Sequence, residues 1–338
     1  MTHRQAWDDN SVMSRSTDPL QNTPDASLSL PLPDWGVIAP QGDDAAAFLH
    51  GQLTQDVLLL PEGQAHLAGY CSAKGRLLAT LVVLKVSASL VLLLTPKASL
   101  APMLKRLSMF VLRAKVKLSD ASDAWRVLGQ MRPLSSPAAA AAPAPWQVKP
   151  VLGGAAQGHE IALYPAPNAS RSLLLLPADA VNPPKAPPPR PLSQAAWDEA
   201  EVLAGVAFLR GELLDTFVPQ MLNYESIGGV SFKKGCYPGQ EVVARSQFRG
   251  SLKRRLFLAQ ATEVDLPVGT EVFTSSDAND QPSGVVVQCA PHATGGACLL
   301  LVLHTEAVRE HPDDLHARHP QGPRLDLMPL PYELLADV

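Results

Sequence analysis

Val230–Gly250 reads VSFKKGCYPGQEVVARSQFRG: a cysteine between a lysine pair and a Tyr-Pro-Gly turn, followed by spaced arginines. Tyr237-Pro238-Gly239-Gln240 carries the chemistry of a type II turn. Proline presets φ at its second position, and glycine accepts the positive φ of the third. Cys236 therefore precedes a tight bend, which favours exposure. Lys233 and Lys234 stand close in sequence, and nearby positive charge stabilises thiolate over thiol. Gly228, Gly229 and Gly235 permit close backbone approach. The pattern fits a reactive or metal-coordinating thiol. A cysteine is also a common small buried apolar residue, and these residues alone leave both readings open. One thiol cannot hold a metal cluster by itself, so Cys236 would act as a nucleophile or as one ligand of a shared site. Arg245, Arg249, Lys253 and Arg254 recur at spacings near four. That spacing predicts one helical face, either solvated or binding phosphate or carboxylate.

Upstream of this segment, LSQAAWDEAEVLAGVAFL predicts a helix capped by Ser193 and ended near Gly205. The proline-rich runs RPLSSPAAAAAPAP and VNPPKAPPPRP oppose both helix and ladder bonding. They read as surface insertions flanking the strand candidates EIALYP and SLLLLP. Nearer the N-terminus, GDDAAAFLHGQLTQDV reads as a strand leading into a short helix, with Asp43 or Asp44 near its start. GRLLATLVVLKVSASLVLLLTPK predicts two strands around VSAS. TPKASLAPMLKRLSMF predicts a helix with Thr95 as cap and Pro96 at its first position. VLRAKVKLSD then alternates with strand period. Strand, strand, helix, strand is the order of an α+β unit with an antiparallel sheet. Beyond residue 252, apolar runs punctuated by Gly, Pro, Asn and Asp predict a small all-β barrel.

The 338 residues are 46% hydrophobic and 18% charged, the balance of a globular, water-soluble chain. No apolar run is long enough to span a bilayer, and the N-terminus lacks an apolar signal region. The expected location is the cytoplasm, with no membrane partner. Residues 1–27 are polar and aperiodic, and read as a disordered tail. The four cysteines at 71, 236, 289 and 298 have no zinc or iron–sulfur spacing, so no resident metal is expected. Cys289 and Cys298 fall in apolar runs and should pack; Cys71 carries no assigned role. Net charge is −4, yet Lys233–Arg255 holds seven basic residues against Glu241 alone, a local polyanion site in outline. RNA binding there would want interleaved aromatics, and only Tyr237 and Phe248 are present.

The longer stretch IGGVSFKKGCYPGQEVVARSQFRGSLKRRL resembles the signature of the YgfZ family, folate-binding proteins related to the aminomethyltransferase T-protein of the glycine cleavage system. FVPQMLNYES, FLHGQLTQDV, GYCSAKGRLLATL and the ending LMPLPYEL are similar to further family segments. The resemblance runs from about Leu30 to Leu334. It implies an α+β fold with T-protein-like three-lobed architecture, antiparallel sheets and a C-terminal β-barrel. The implied division is a folate-binding region over 28–250 in two lobes, the second inserted at roughly 72–120, followed by a barrel over 251–338. The family residue on which function turns maps to Cys236, with motif neighbours Lys234, Gly235, Tyr237, Gly239, Gln240 and Glu241. Trp35 and Trp197 match two tryptophans associated with folate, for which an aromatic face suits ring stacking. Arg245, in the basic run beside the loop, is assigned to folate's glutamate tail or a partner. The implied cofactor is tetrahydrofolate or a derivative, with an iron–sulfur cluster only as a transient guest. Leu203 replaces the family's acid and cannot pair with pterin nitrogens. The neighbouring Glu199 and Glu201 are read as lying on other faces of that helix. Pro238 replaces a common threonine.

Three functions follow. The first is an accessory protein supporting assembly or repair of iron–sulfur enzymes, including tRNA-methylthiolating ones, with client enzymes or assembly proteins as partners. The second is a tetrahydrofolate-dependent one-carbon or aminomethyl transferase. The third, for which the composition gives least support, is an RNA-binding module.

Overall fold

The computed structural model describes residues 27–134, 143–153, 156–180, 190–248, 252–275 and 281–335. In chain order the elements are β1 (Leu28–Pro31), β2 (Trp35–Gln41), α1 (Ala45–His50), β3 (Gln64–Cys71), β4 (Leu77–Ser87), β5 (Leu90–Pro96), α2 (Lys97–Met109), β6 (Lys117–Asp120), β7 (Trp125–Pro133) and β8 (Val148–Gly153). There follow β9 (Ala156–Ala162), β10 (Ala169–Pro177), β11 (Arg190–Pro191), α3 (Gln194–Leu203), α4 (Gln240–Phe248), β12 (Arg254–Ala261), β13 (Glu271–Phe273), β14 (Gly284–Pro291), β15 (Ala297–His304), α5 (Thr305–Glu310), β16 (Leu315–Ala317) and β17 (Arg324–Met328). The expected tail, Arg249, and most of both proline-rich runs lie outside the described residues.

Three sheets absorb the apolar runs. A six-stranded sheet has the order β11-β1-β7-β10-β9-β8, and a five-stranded one the order β3-β4-β5-β2-β6. β12-β15-β14-β13-β16-β17 close into a barrel. The α+β reading with a terminal barrel is therefore what the chain forms. In the five-stranded sheet, β4 and β5 pair Val82 with Leu94 and Leu84 with Leu92. Those four side chains join the core shared with the six-stranded sheet, whereas Leu81, Val83, Val91 and Leu93 join a second core with Phe48, Leu100 and Met103. Both faces are covered, which is why these strands read as near-continuous apolar runs rather than alternating ones.

Several local expectations shift. The five-stranded sheet takes in β2 and β3 as well as β4, β5 and β6. The cap of α2 is Pro96, and Thr95 stays in β5, where its Oγ1 donates to Thr80 O at 3.0 Å. β6 covers only the last part of VLRAKVKLSD. The described basic residues do not form one helical face: Arg245 lies in α4, while Arg254 and Arg255 begin β12. Ser193 does cap α3, its Oγ accepting from Ala196 N at 3.2 Å.

Candidate functional site

Cys236 is exposed, whereas Cys71 and Cys298 are buried and Cys289 is half-buried. Burial pushes the thiols of Cys71 and Cys298 up to about 12. The turn behind Cys236 has the expected form. Gly239 adopts φ +81°, and Gln240 N donates to Tyr237 O at 3.1 Å. Gly239 rests on the hairpin of CSAKGR: a Cβ there would lie 2.4 Å from Ser72 O and 2.5 Å from Gly75 Cα.

The chain entering the loop is held by the segment after α1. Thr54 Oγ1 donates to Gly229 O at 2.6 Å, Gln55 Nε2 to Gly228 O at 2.5 Å, and Ser231 N to Thr54 O at 2.9 Å. Lys234 is buried, and its ammonium donates to the carbonyls of His50 and Leu53, the latter at 2.7 Å. It thus ties off carbonyls at the C-terminal end of α1, where a cation is favoured. The same nitrogen sits 4.7 Å from the centre of the buried Tyr237 ring. Desolvation lowers the Lys234 ammonium to about 8, against the upward pull of Asp56 and Cys236. Burial raises the Tyr237 phenol.

His50 is the neighbour that the sequence reading passed over. Its Nδ1 lies 3.1 Å from Asp56 Oδ1, and Nε2 lies 3.3 Å from where a Cβ on Gly235 would stand. It therefore packs against both residues that precede Cys236. The signal was present in FLHGQLTQDV, where His50 and Asp56 flank Thr54, but spacing alone gives no reason to pair them. The residues leading into Cys236 thus rest on a histidine–aspartate pair at Gly235 and on a lysine whose ammonium feels Cys236.

The other motif residues separate. Glu241 and Arg245 form an exposed i,i+4 pair at 2.7 Å on α4, away from the loop's buried face, and such pairs contribute little. Gln240 opens α4 and is half-buried. Of the basic cluster, Lys233 is exposed, Arg254 lies 2.9–3.1 Å from His304 Nε2, and Arg255 is buried against Glu225 at 2.8 Å. No single polyanion-binding stripe results among the described residues.

Trp35 and Trp197 do come together. Both are buried, at 5% and 1% exposure, and both line a cavity of about 20 Å³ with Asp34, Asp198, Glu201 and Arg210. That space holds about one water, against roughly 300–1,000 Å³ for an organic ligand. Leu203, at the end of α3, is half-buried outside that lining. Glu201, expected on a face other than that of Leu203, shares the buried face of α3 with Trp197. Its carboxylate lies 4.0 Å from Arg171 and 3.8 Å from Arg210, and accepts from Gln288 Nε2 at 3.1 Å. Burial raises the Glu201 carboxyl and lowers the Arg171 guanidinium, which stacks 4.6 Å over Trp197, to about 10. The i,i+4 relation of Trp197 and Glu201 was the available sequence signal.

No protein-family model matches the chain. Among curated proteins it is 32% identical over 313 residues to the tRNA-modifying protein YgfZ of Edwardsiella ictaluri (strain 93-146), covering 89% of this chain and 91% of that one. It is 29% identical over 323 residues to the protein of the same name from Escherichia coli O127:H6, covering 92% and 96%. Among solved structures, the glycine cleavage system aminomethyltransferase T from Bartonella henselae superposes with a TM-score of 0.65 at 14% identity, over 91% of this chain and 86% of that one. That last likeness is one of fold: two sheets and a closed barrel in T-protein arrangement. With 32% identity sustained over nine-tenths of both chains, this chain belongs to the YgfZ family.

Proposed function

We propose that this protein is a folate-binding accessory factor that supports assembly or repair of iron–sulfur enzymes, tRNA-methylthiolating ones among them, through the Cys236 thiol. The observation that carries the reading is the exposed sulfur on a loop clamped from two sides, by Lys234 on the end of α1 and by Gly239 on the Gly75 hairpin. A thiol meant only to fill space does not need a buried lysine to hold its backbone. His50, held by Asp56 and set against Gly235, is the group assigned in this reading to receive the thiol proton. The YgfZ relatives, named as tRNA-modifying proteins, support the link to tRNA modification. A cluster would visit this thiol transiently, as cargo shared with a client or assembly protein. Folate would stack on Trp35 and Trp197, with the exposed Lys233, and Arg245 in its exposed pair with Glu241, meeting its glutamate tail or a partner. Admission of a pterin there requires α3 and β2 to part, because the present space is about 20 Å³.

The T-protein fold favours a second reading, a tetrahydrofolate-dependent aminomethyl transferase. Leu203 weighs against it by removing a carboxylate where pterin nitrogens would need an acceptor. Two measurements separate these readings: formation of methylene-tetrahydrofolate from an aminomethyl donor tests the second, and complementation of a deletion strain with wild type and Cys236→Ser, scoring iron–sulfur enzyme activity and tRNA methylthiolation, tests the first. The expected result is rescue by wild type and loss of rescue by the serine variant. Equal rescue by both would remove the thiol role.

A further inference from the structure

Strand register sets Gln41, Gln64, Lys85, Leu90 and Lys117 along one end of the five-stranded sheet. Two loops meet solvent there. Residues 56–62 follow α1 and are tied down by Lys85, whose Nζ donates to Leu58 O at 3.1 Å and whose carbonyl accepts from Gly63 N at 2.7 Å. Residues 110–116 join α2 to β6, and the Lys115 carbonyl accepts from Asp44 N at 3.2 Å. One core anchors both: it takes Val57 and Leu60 from the first loop, and Leu107 and Val111 from the end of α2 and the loop after it.

Beside these anchors, Leu58, Leu59, Met109, Phe110 and Leu112 face solvent, Leu59 at 80% and Leu112 at 85%. Among the described residues they are five of the twelve large hydrophobics left exposed, and they gather at one end of one sheet. Single exposed apolar residues need no explanation, whereas such clusters mark interaction sites. The same stretch is cationic. Lys97–Ser119 holds six lysines and arginines and no acid, in a chain of net charge −4. Arg106 is half-buried beside the Tyr70 hydroxyl. Lys105, Arg113, Lys115 and Lys117 are exposed and form no ion pair with a described residue. The exposed acids at this end are Asp43 and Glu62, and the half-buried Asp44 carboxylate accepts from Lys115 N at 2.6 Å.

We propose that this rim docks on an anionic lipid surface, with Leu59 and Leu112 entering the acyl boundary while Lys105, Arg113, Lys115 and Lys117 meet the headgroups. Apolar side chains that project among cations match the layered chemistry of such a surface. Other occupants fit less well. A second copy set face to face on this rim would place its cations against themselves. Single-stranded RNA wants aromatic faces, and Phe110 is the only aromatic of the five. An amphipathic helix docks in a groove, whereas residues as exposed as Leu59 and Leu112 project from the surface. At 13 residues α2 is short of the roughly 20 that span a bilayer, so the contact is peripheral. The lack of an apolar spanning run, taken above as no membrane partner, concerns crossing a bilayer rather than resting on one. This role is independent of Cys236 and of folate.

The test is co-sedimentation of the full chain with vesicles of phosphatidylcholine alone, or mixed equally with phosphatidylglycerol. Wild type should bind the mixed vesicles at least about tenfold more strongly, and lose that binding in high salt. Leu59→Ser and Leu112→Ser, at exposed positions that leave the core intact, should each weaken binding about fivefold or more. Arg113→Gln and Lys117→Gln should weaken it about fivefold per charge. Leu112→Trp gives a second readout, a blue shift of emission on mixed vesicles relative to wild type. Wild type that stays in the supernatant with mixed vesicles would overturn the proposal. So would binding that both serine variants leave unchanged, or self-association in solution that Leu112→Ser abolishes, which assigns the rim to a second copy. None of these outcomes bears on rescue by Cys236→Ser, so failure here and failure of the accessory role are told apart.

Discussion

A buried ammonium makes Lys234 the residue on which the thiol loop is hung. In the sequence it reads as a charge lent to Cys236; in the fold it spends its hydrogen bonds on the carbonyls of His50 and Leu53. The two roles are compatible, since the charge remains close enough for Cys236 and Asp56 to act on it. Lys234→Met should cost about 1–3 kcal/mol, the range for losing charged hydrogen bonds from buried partners. A pH signature accompanies that loss. The ammonium falls from 10.5 to about 8 on folding, so between those values the unfolded chain binds more protons than the native one. Native stability therefore rises with pH across that window, and below about 8 the contribution is constant at its minimum. At about 1.4 kcal/mol per unit the ceiling is roughly 3 kcal/mol. Urea unfolding of wild type and Lys234→Met from pH 7 to pH 10 should show a stability difference that grows with pH. A flat difference would mean that Lys234 is not desolvated.

At the scale of elements, the thiol loop is positioned by two turns pressed together. Gly239 and Gly75 both have positive φ, and each occupies space that a side chain on the other would need. The turn itself was legible, because Tyr-Pro-Gly-Gln sets its own dihedrals locally. The contact was not: it joins residues some 160 positions apart, and nothing local to CSAKGR announces a partner. The helix predicted from basic spacing failed for a related reason. Charge period says nothing about which strands a segment will join, and tertiary pairing with β15 drew Arg254 and Arg255 into the barrel. Gly239→Ala adds a Cβ 2.4 Å from Ser72 O, a clash that costs about 1–3 kcal/mol beyond the roughly 1–2 kcal/mol of a left-handed residue. Gly228 also has positive φ, at +77°, but a Cβ there meets nothing within 4 Å. Its alanine variant should show only the backbone component. Paired thermal melts test the contrast, and equal losses would mean that the turn-on-turn contact carries no energy.

For the whole molecule, α3 is the joint. It packs Trp197 against the six-stranded sheet, and it carries Glu201 between Arg171 of β10 and Gln288 of β14 in the barrel. The barrel and the sheets were legible from apolar runs and turn residues, each a local pattern. The joint was not, because its polar half is a buried acid that the sequence presents as one more helix-surface glutamate. Nε and Nη2 of Arg171 are buried without hydrogen-bond partners, so the guanidinium leans on the nearby carboxylate for compensation. Removing that carboxylate strands a buried cation, the costly case of a broken pair rather than a replaced one. Glu201→Gln should therefore lose about 3–5 kcal/mol in denaturant unfolding. Arg171→Met alone leaves Glu201 with Arg210 and Gln288, and should lose less. The double variant should be more stable than the sum of single losses allows, by at least about 0.5 kcal/mol, the scale of coupling between groups in contact. Additive losses would instead assign the junction's strength to Trp197 packing alone.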